Sequence, residues 1–294
     1  MDTLSRLNAD FGHAGAIAFE LIDAAPMCWL HGSGGRALVS LQGAQVLNWR
    51  HHSQGEMLWW SPLSPPGRGS AIRGGIPICW PWFGPHPTDR SQPQHGLVRT
   101  VDWSVAAAGS SSGASYLELA LTHFAAGSSA ELRLRVEVAA RLKVELNVLN
   151  TGDNALTVTE ALHTYFAVQD VGSVALAGLE GCSYRDRTAS DQIRVLDGLL
   201  VVDGETNAHF DETPDRLRLI DKGRDHVIEI ERLGGRSTVV WNPGPGARAM
   251  ADVVLGGERG FLCVESGNIG SSAVTIPPGC SHHLGVRYSI LGRM

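Results

Sequence analysis

The sequence predicts an all-β fold, a large antiparallel β-sandwich, and three observations carry that prediction. A charged fraction of 18% stands against 43% hydrophobic residues, and 35 glycines with 14 prolines imply many turns. Residues Glu131–Asn150 alternate apolar and polar through two halves, the period of strands with one buried and one wet face. No long stretch repeats at 3.6 residues. There is no compositional break to serve as a linker and no repeat of fixed length. Residues 1–294 therefore read as a single domain, within the range that β-sandwiches reach.

Taken in chain order, Met1–Asp10, or Leu4–Asn8 within it, can form a helical turn. Between Pro62 and Pro93 lie eight of the fourteen prolines, which predicts a long stiffened loop. Its tryptophans argue against disorder. Tyr116–Phe124 reads as a strand after a Gly/Ser turn at Gly109–Gly113. In the Glu131–Asn150 pair, Leu132, Leu134, Val136 and Val138 form one apolar row; Leu142, Val144, Leu146 and Val148 form the other, with the break at Ala139-Ala140. Residues 156–168 read as a further strand. Val227–Glu231, Ser237–Trp241, Phe261–Glu265 and Ser272–Ile276 follow, separated by Asp221–Asp225, Gly256–Gly260 and similar clusters.

Composition also excludes classes of partner. A net charge of −6 with signs interspersed leaves no basic stripe, so nucleic acid is not expected. The five cysteines are scattered and none forms a CxxC pair, which disfavours both zinc and a disulfide framework. No basic n-region with a continuous apolar run opens the chain, and no run is long enough to span a bilayer. A reduced, cytoplasmic enzyme is the expectation. Its oligomeric state is unread, with a monomer favoured. The pairs His51-His52 and His282-His283 tempt a metal reading. Neighbours on a strand point to opposite faces, so each pair offers one ligand at most and no metal site is expected.

The most informative segment is AIRGGIPICWPWFG at Ala71–Gly84. Gly74 and Gly75 permit backbone approaches that a Cβ forbids. Pro77 and Pro81 remove donors and argue against a central strand. Trp80, Trp82 and Phe83 supply flat apolar walls, and Arg73 is a permanent planar cation suited to phosphate or carboxylate. Read alone, the segment is either the wall of a small polar ligand site or a plug closing the end of the sandwich.

Together with PQHGLVR at Pro93–Arg99, this segment resembles the paired motifs of the hexose-6-phosphate mutarotases, the glucose-6-phosphate 1-epimerase branch of the aldose 1-epimerase superfamily. ALHTYFAV at Ala161–Val168, VVWNPG at Val239–Gly244 and FLCVESGNI at Phe261–Ile269 match further motifs in the same order. The resemblance implies a galactose mutarotase-like supersandwich with sugar held on a concave face. It also implies a sugar phosphate as the small-molecule partner.

By period two, His163 shares a face with Thr157, Thr159, Ala161 and Tyr165. Leu156, Val158, Leu162 and Phe166 line the other face, where Glu160 is the exception. On this count alone His163 is either a hydrogen-bonded strand histidine or a catalytic one; the resemblance implies the latter. Glu265 ends an apolar run, facing water, caught in an ion pair, or desolvated into a better base; the resemblance makes it the general base. Arg73 and Arg99 flank the aromatic loop as candidate phosphate ligands. Gln94 and His95 match substrate-lining positions. Arg68 and Arg90 are less specific. Relatives of this type carry an Asp-Arg-aromatic triplet after a Gly-Glu run, where this chain has Gly204-Glu205-Thr206-Asn207-Ala208. Asn207 therefore replaces a sugar-contacting aspartate, unless a shifted alignment makes Asp203 the equivalent.

Mutarotation needs one base at the anomeric hydroxyl and one acid at the ring oxygen, with no metal, redox cofactor or covalent intermediate. The expected activity is interconversion of the α and β anomers of a hexose 6-phosphate, glucose 6-phosphate foremost. The alternatives are an aldose 1-epimerase for unphosphorylated sugars, or a non-catalytic sugar-phosphate binder.

Overall fold

The computed structural model describes residues 2–67, 69–122 and 129–292. Arg68, and the His123-Phe124 end of one expected strand, lie outside them. The described residues fold as antiparallel sheets of nine, eight and five strands, with a two-stranded pair, Leu156–Val158 with Val274–Ile276. The expected all-β sandwich is what forms. Among the described residues, no helix is long and apolar enough to cross a membrane.

The alternating segment forms the centre of the nine-stranded sheet. Ala130–Val138 and Leu142–Asn150 pair in register, Leu134 opposite Leu146 and Val136 opposite Val144. Their apolar rows are fully buried. The polar rows carry ion pairs on the outer surface, such as Arg133 with Glu118 and Lys143 with Glu145. Such exposed pairs contribute at most about 1 kcal/mol each. The inner face packs on the eight-stranded sheet, whose Leu162, Phe166, Val240 and Val264 join the same core cluster as Leu146, Ile230 and Val286. Thr164 Oγ1 and the Tyr288 hydroxyl lie 2.6 Å apart in this otherwise apolar seam, each satisfying the other.

Several expectations need correction. The Gly109–Gly113 turn is shorter than read: the strand runs Ser104–Ser111, and Gly109 pairs opposite Tyr116. A Cβ at Gly109 would lie 2.7 Å from that ring, so the glycine makes room for an aromatic rather than for a bend. The single strand expected across 156–168 is three short pieces, Leu156–Val158, Glu160–Leu162 and Tyr165–Ala167. Glu265 does not close its strand, which continues to Asn268. The five consecutive strands between Ile17 and Glu56 went unread.

The N-terminal helix is Thr3–Phe11, longer than a single turn, with Asp2 capping it through Ser5 N–H at 2.7 Å. Leu4, Leu7 and Phe11 pack on the core. Asn8 bonds Phe19 twice, Oδ1 accepting from its N–H at 2.9 Å and Nδ2 donating to its carbonyl at 2.8 Å. The strand it meets, Ile17–Ile22, is the outer strand of the five-stranded sheet.

Candidate active site

The site is built on the face of the eight-stranded sheet turned away from the core. Residues directly opposite on antiparallel neighbours project to the same side, so the register writes out two rows. Leu162 pairs with Ser266 and Tyr165 with Cys263, which sets His163 opposite Glu265. Glu265 pairs with Val239, Val239 with His209, and His209 with Arg185. The second row runs Tyr165, Cys263, Trp241, Asn207, and then Arg187, whose N–H donates to the Asn207 carbonyl at 2.9 Å.

The proline-rich segment closes one end of these rows as an edge, as its missing donors require. Its carbonyls accept: His163 N–H bonds Pro77 O at 3.0 Å, Tyr165 N–H bonds Gly75 O at 2.9 Å, and Thr159 N–H bonds Pro81 O at 3.1 Å. Phe83 N–H returns a bond to Thr159 Oγ1 at 2.9 Å. Gly74 and Gly75 both have positive φ, and a Cβ on either would lie within 2.5 Å of neighbouring backbone. The segment is therefore a site wall, and the alternative of a simple plug is set aside.

These pieces enclose a cavity of ≈ 280 Å³ lined by His163, Glu265, His95, Trp241, Asn207 and Arg73 among others. Of the residues expected from sequence, His163, Glu265, Arg73, Gln94, His95 and Asn207 all line it. Arg99 does not; its guanidinium donates to the Gln94 carbonyl at 2.7 Å. Asp203 is exposed and lies elsewhere, so Asn207 is the residue that reaches the cavity. Arg187, His209, Trp241 and Met250 line it without having been singled out.

His163 Nε2 lies 3.3 Å from Glu265 Oε1, and the two side chains are 9% and 2% exposed. Burial pushes the Glu265 carboxyl well above its ordinary range. Burial likewise drives the His163 imidazole well down, helped by His95, Arg73 and Arg99. Among the described residues, neither Glu265 Oε2 nor His163 Nδ1 has a hydrogen-bond partner. The imidazole stacks on Tyr165, with centroids 4.8 Å apart and planes 10° from parallel. Its plane and height over Glu265 are thereby set.

Two further histidines are held neutral. His95 is lowered to about 3, by burial first and then by Arg99 and Arg73. Gly84 N–H donates to its Nδ1 at 3.2 Å, so the ring proton sits on Nε2 and His95 is a fixed donor. His209 is lowered to about 4, chiefly by burial, with Arg187 adding to it. Its Nε2 lies 2.9 Å from Asn207 Oδ1. Arg73 is committed on two sides, donating from Nε to Asp252 Oδ2 at 2.8 Å and from Nη1 to the Tyr165 hydroxyl at 3.1 Å. The arrangement offers a carboxyl and an imidazole in close contact, neutral donors and acceptors, a flat indole face and a positive surround. That suits proton transfer on a small polyhydroxyl ligand.

Comparison with known proteins gives a consistent answer. The family model described as aldose 1-epimerase matches residues 27–289. A protein of Escherichia coli strain K12, named for glucose-6-phosphate 1-epimerase activity, is 30% identical over 79% of this chain and 79% of its own. A protein of the same name from Cenchrus ciliaris is 30% identical over 83% of this chain and 78% of its own. A mutarotase crystal structure from Salmonella typhimurium superposes with a TM-score of 0.89 at 25% identity, covering 99% of this chain and 100% of that one.

Proposed function

The chain belongs to the aldose 1-epimerase family and is an isomerase of sugar anomers; we propose that its substrate is a hexose 6-phosphate, with glucose 6-phosphate foremost. One observation carries the catalytic reading: a buried carboxyl and imidazole, opposite in register and 3.3 Å apart, on the wall of a cavity sized for a single sugar. In this reading the Glu265 carboxylate removes the proton of the anomeric hydroxyl. His163 gives a proton to the ring oxygen as the C1–O5 bond breaks. Rotation about C1–C2 and closure in reverse deliver the other anomer, and both groups return to their starting state.

The pair carries one proton between its two members. Desolvation in the free protein favours the neutral form of each, so that proton rests on Glu265. Burial first, then His95 and the positive field of Arg73 and Arg99, hold the imidazole down, and a phosphate dianion offsets the arginine share. The proton then passes over the 3.3 Å contact to His163, leaving a carboxylate ready to act. Substrate charge thus arms the pair. His95 donates to the sugar from Nε2, Asn207 and Gln94 meet hydroxyls, and Trp241 supports the ring face. Arg73 lies in the cavity wall, whereas Arg99 acts through its field and through its hold on Gln94.

The core cluster runs without a break from Ile17 to Tyr288, which supports treating the chain as one domain. Five free cysteines fit a reduced, cytoplasmic setting, and we take the working unit to be a monomer. The test is anomer equilibration followed by NMR, with glucose 6-phosphate and glucose as substrates. Faster relaxation of the phosphate is the expected outcome. Equal or faster relaxation of glucose would make this an epimerase of free sugars.

A further inference from the structure

Asn207 and His209 lie two residues apart on the strand Thr206–Phe210, so both project from its cavity face. His209 Nε2 stands 2.9 Å from Asn207 Oδ1, and among the described residues no other hydrogen bond holds that carboxamide. The direction of the bond follows from its atoms. An amide oxygen only accepts, so the proton of the contact belongs to the imidazole. Burial first, and then Arg187, lower His209 to about 4 against the pull of Asp191 and Asp211. The ring is therefore neutral at neutral pH and carries its single proton on Nε2. Phe83 meets the same ring edge-on, with centroids 5.8 Å apart, and steadies its aim.

A carboxamide that nothing holds has two ends of nearly equal size and turns between them. It then offers a ligand a donor in one orientation and an acceptor in the other. With its oxygen taken by His209, Asn207 shows the cavity its NH2 end. That choice completes a pattern. His95 donates from Nε2, the guanidinium groups of Arg73 and Arg187 only donate, and Glu265 is the one carboxyl in the lining among the described residues. A sugar hydroxyl beside Asn207 must accept. A hydroxyl that gives up its proton is drawn to Glu265 instead.

We propose that His209 is a positioning residue for mutarotation: it locks the Asn207 carboxamide as a donor and so fixes how the sugar lies against Glu265 and His163. This rests on the mutarotase reading of that pair. In this role His209 acts through Asn207 and takes no part in the proton transfers.

Two measurements test it. Nitrogen NMR of the free protein reads which imidazole nitrogen of His209 bears the proton, with no turnover needed. The Nε2–H tautomer is expected at neutral pH, and a ring protonated on Nδ1 alone would overturn the proposal. The second measurement is a double-mutant cycle in kcat and KM for glucose 6-phosphate, followed by NMR anomer equilibration. Asn207→Ala and His209→Ala should each raise KM severalfold to about tenfold, the worth of one hydrogen bond, with kcat changed less. The double variant should be no worse than Asn207→Ala alone, because the two residues act as one unit. His209→Gln, which keeps an N–H donor at that place, should recover most of the loss. Additive losses, or a loss that His209→Gln leaves in full, would assign His209 to packing under Phe83. With an active wild type, that result sinks this proposal alone. A wild type that equilibrates no sugar phosphate sinks the mutarotase reading with it.

Discussion

Two glutamates on neighbouring strands of the eight-stranded sheet each meet a histidine, His163 of the same sheet or His282 of the nine-stranded one, and the two pairs are built for different ends. Glu160, wholly buried, has Oε1 2.6 Å from His282 Nε2 and accepts from Asn268 Nδ2 at 3.0 Å; Asn268 in turn bonds Gly234 O. Glu265, on the strand beside it, has His163 as its ion-pair partner and lines a cavity. Both carboxyls leave Oε2 without a partner among the described residues. Burial and an imidazole neighbour are therefore common to a structural and a proposed catalytic pair. What separates them is the third group that pins the Glu160 pair in place, and the opening that lets a small molecule reach the Glu265 pair.

The largest test of that contrast is catalytic. Glu265→Gln and His163→Ala should each lose mutarotation by on the order of a hundredfold or more while remaining folded by circular dichroism. Glu160→Gln should stay within a few-fold of wild type. Near-normal turnover in either cavity variant removes that residue from the mechanism and erases the distinction.

Next in size is the field on the cavity pair. Arg73→Ala should cost roughly tenfold to a few hundredfold on glucose 6-phosphate, and less on glucose, because charged hydrogen bonds contribute about 1.5–3 kcal/mol. Equal losses on both substrates would assign Arg73 to holding Asp252 and Tyr165 in place.

A third test turns to the inner pair. Glu160→Ala strands His282 and Asn268, and should destabilise the fold by about 3 kcal/mol in urea denaturation. A change below about 0.5 kcal/mol, ordinary for an uninvolved surface site, would mean that the pair carries no structural load.

The smallest effect is pH-linked. Glu265 is raised from 4.5 by folding, so its stabilising share is whole below pH 4.5 and is lost as pH climbs through the raised value. Glu265→Gln stays neutral throughout. It should match wild type near pH 4 and exceed it by a growing margin at higher pH, read as a rise in Tm. His163, lowered from 6.5, runs the other way: its share is whole above pH 6.5 and is lost as pH falls. A Tm difference that is flat from pH 4 to 9 would mean Glu265 is not desolvated.

How much of this was legible in the sequence depended on how locally each feature is encoded. The Ala130–Val138 and Leu142–Asn150 hairpin was plain because one face is wet. Ala25–Gly32 was not, since Met27, Cys28 and Leu30 are all buried and the alternation fails. Gln192–Val195, exposed at every position, lacks the signal for the opposite reason. His163, Glu265 and Arg73 were found because each stands in a motif. Arg187 lies in the polar run Arg185–Gln192, which reads as a loop; only its pairing with a strand twenty residues on brings it to the cavity. His209 alternates with Ala208 and Phe210, and that period-two signal was there to be used. The choice between Asn207 and Asp203 was open in one dimension: Asn207 sits on the strand Thr206–Phe210 and lines the cavity, whereas Asp203 precedes that strand and does not.

The twin bonds from Asn8 to Phe19 have a bearing on solubility. An outer strand offers unpaired amide and carbonyl groups to any passing chain. The Asn8 carboxamide occupies those of Phe19 just as a neighbouring strand would, and the helix that carries it covers the rim of Ile17–Ile22. Cutting the protein back to residue 13 would leave every cavity residue in place. The harm should show up on the shelf, as light scattering that grows with concentration once that rim is free to recruit a second molecule.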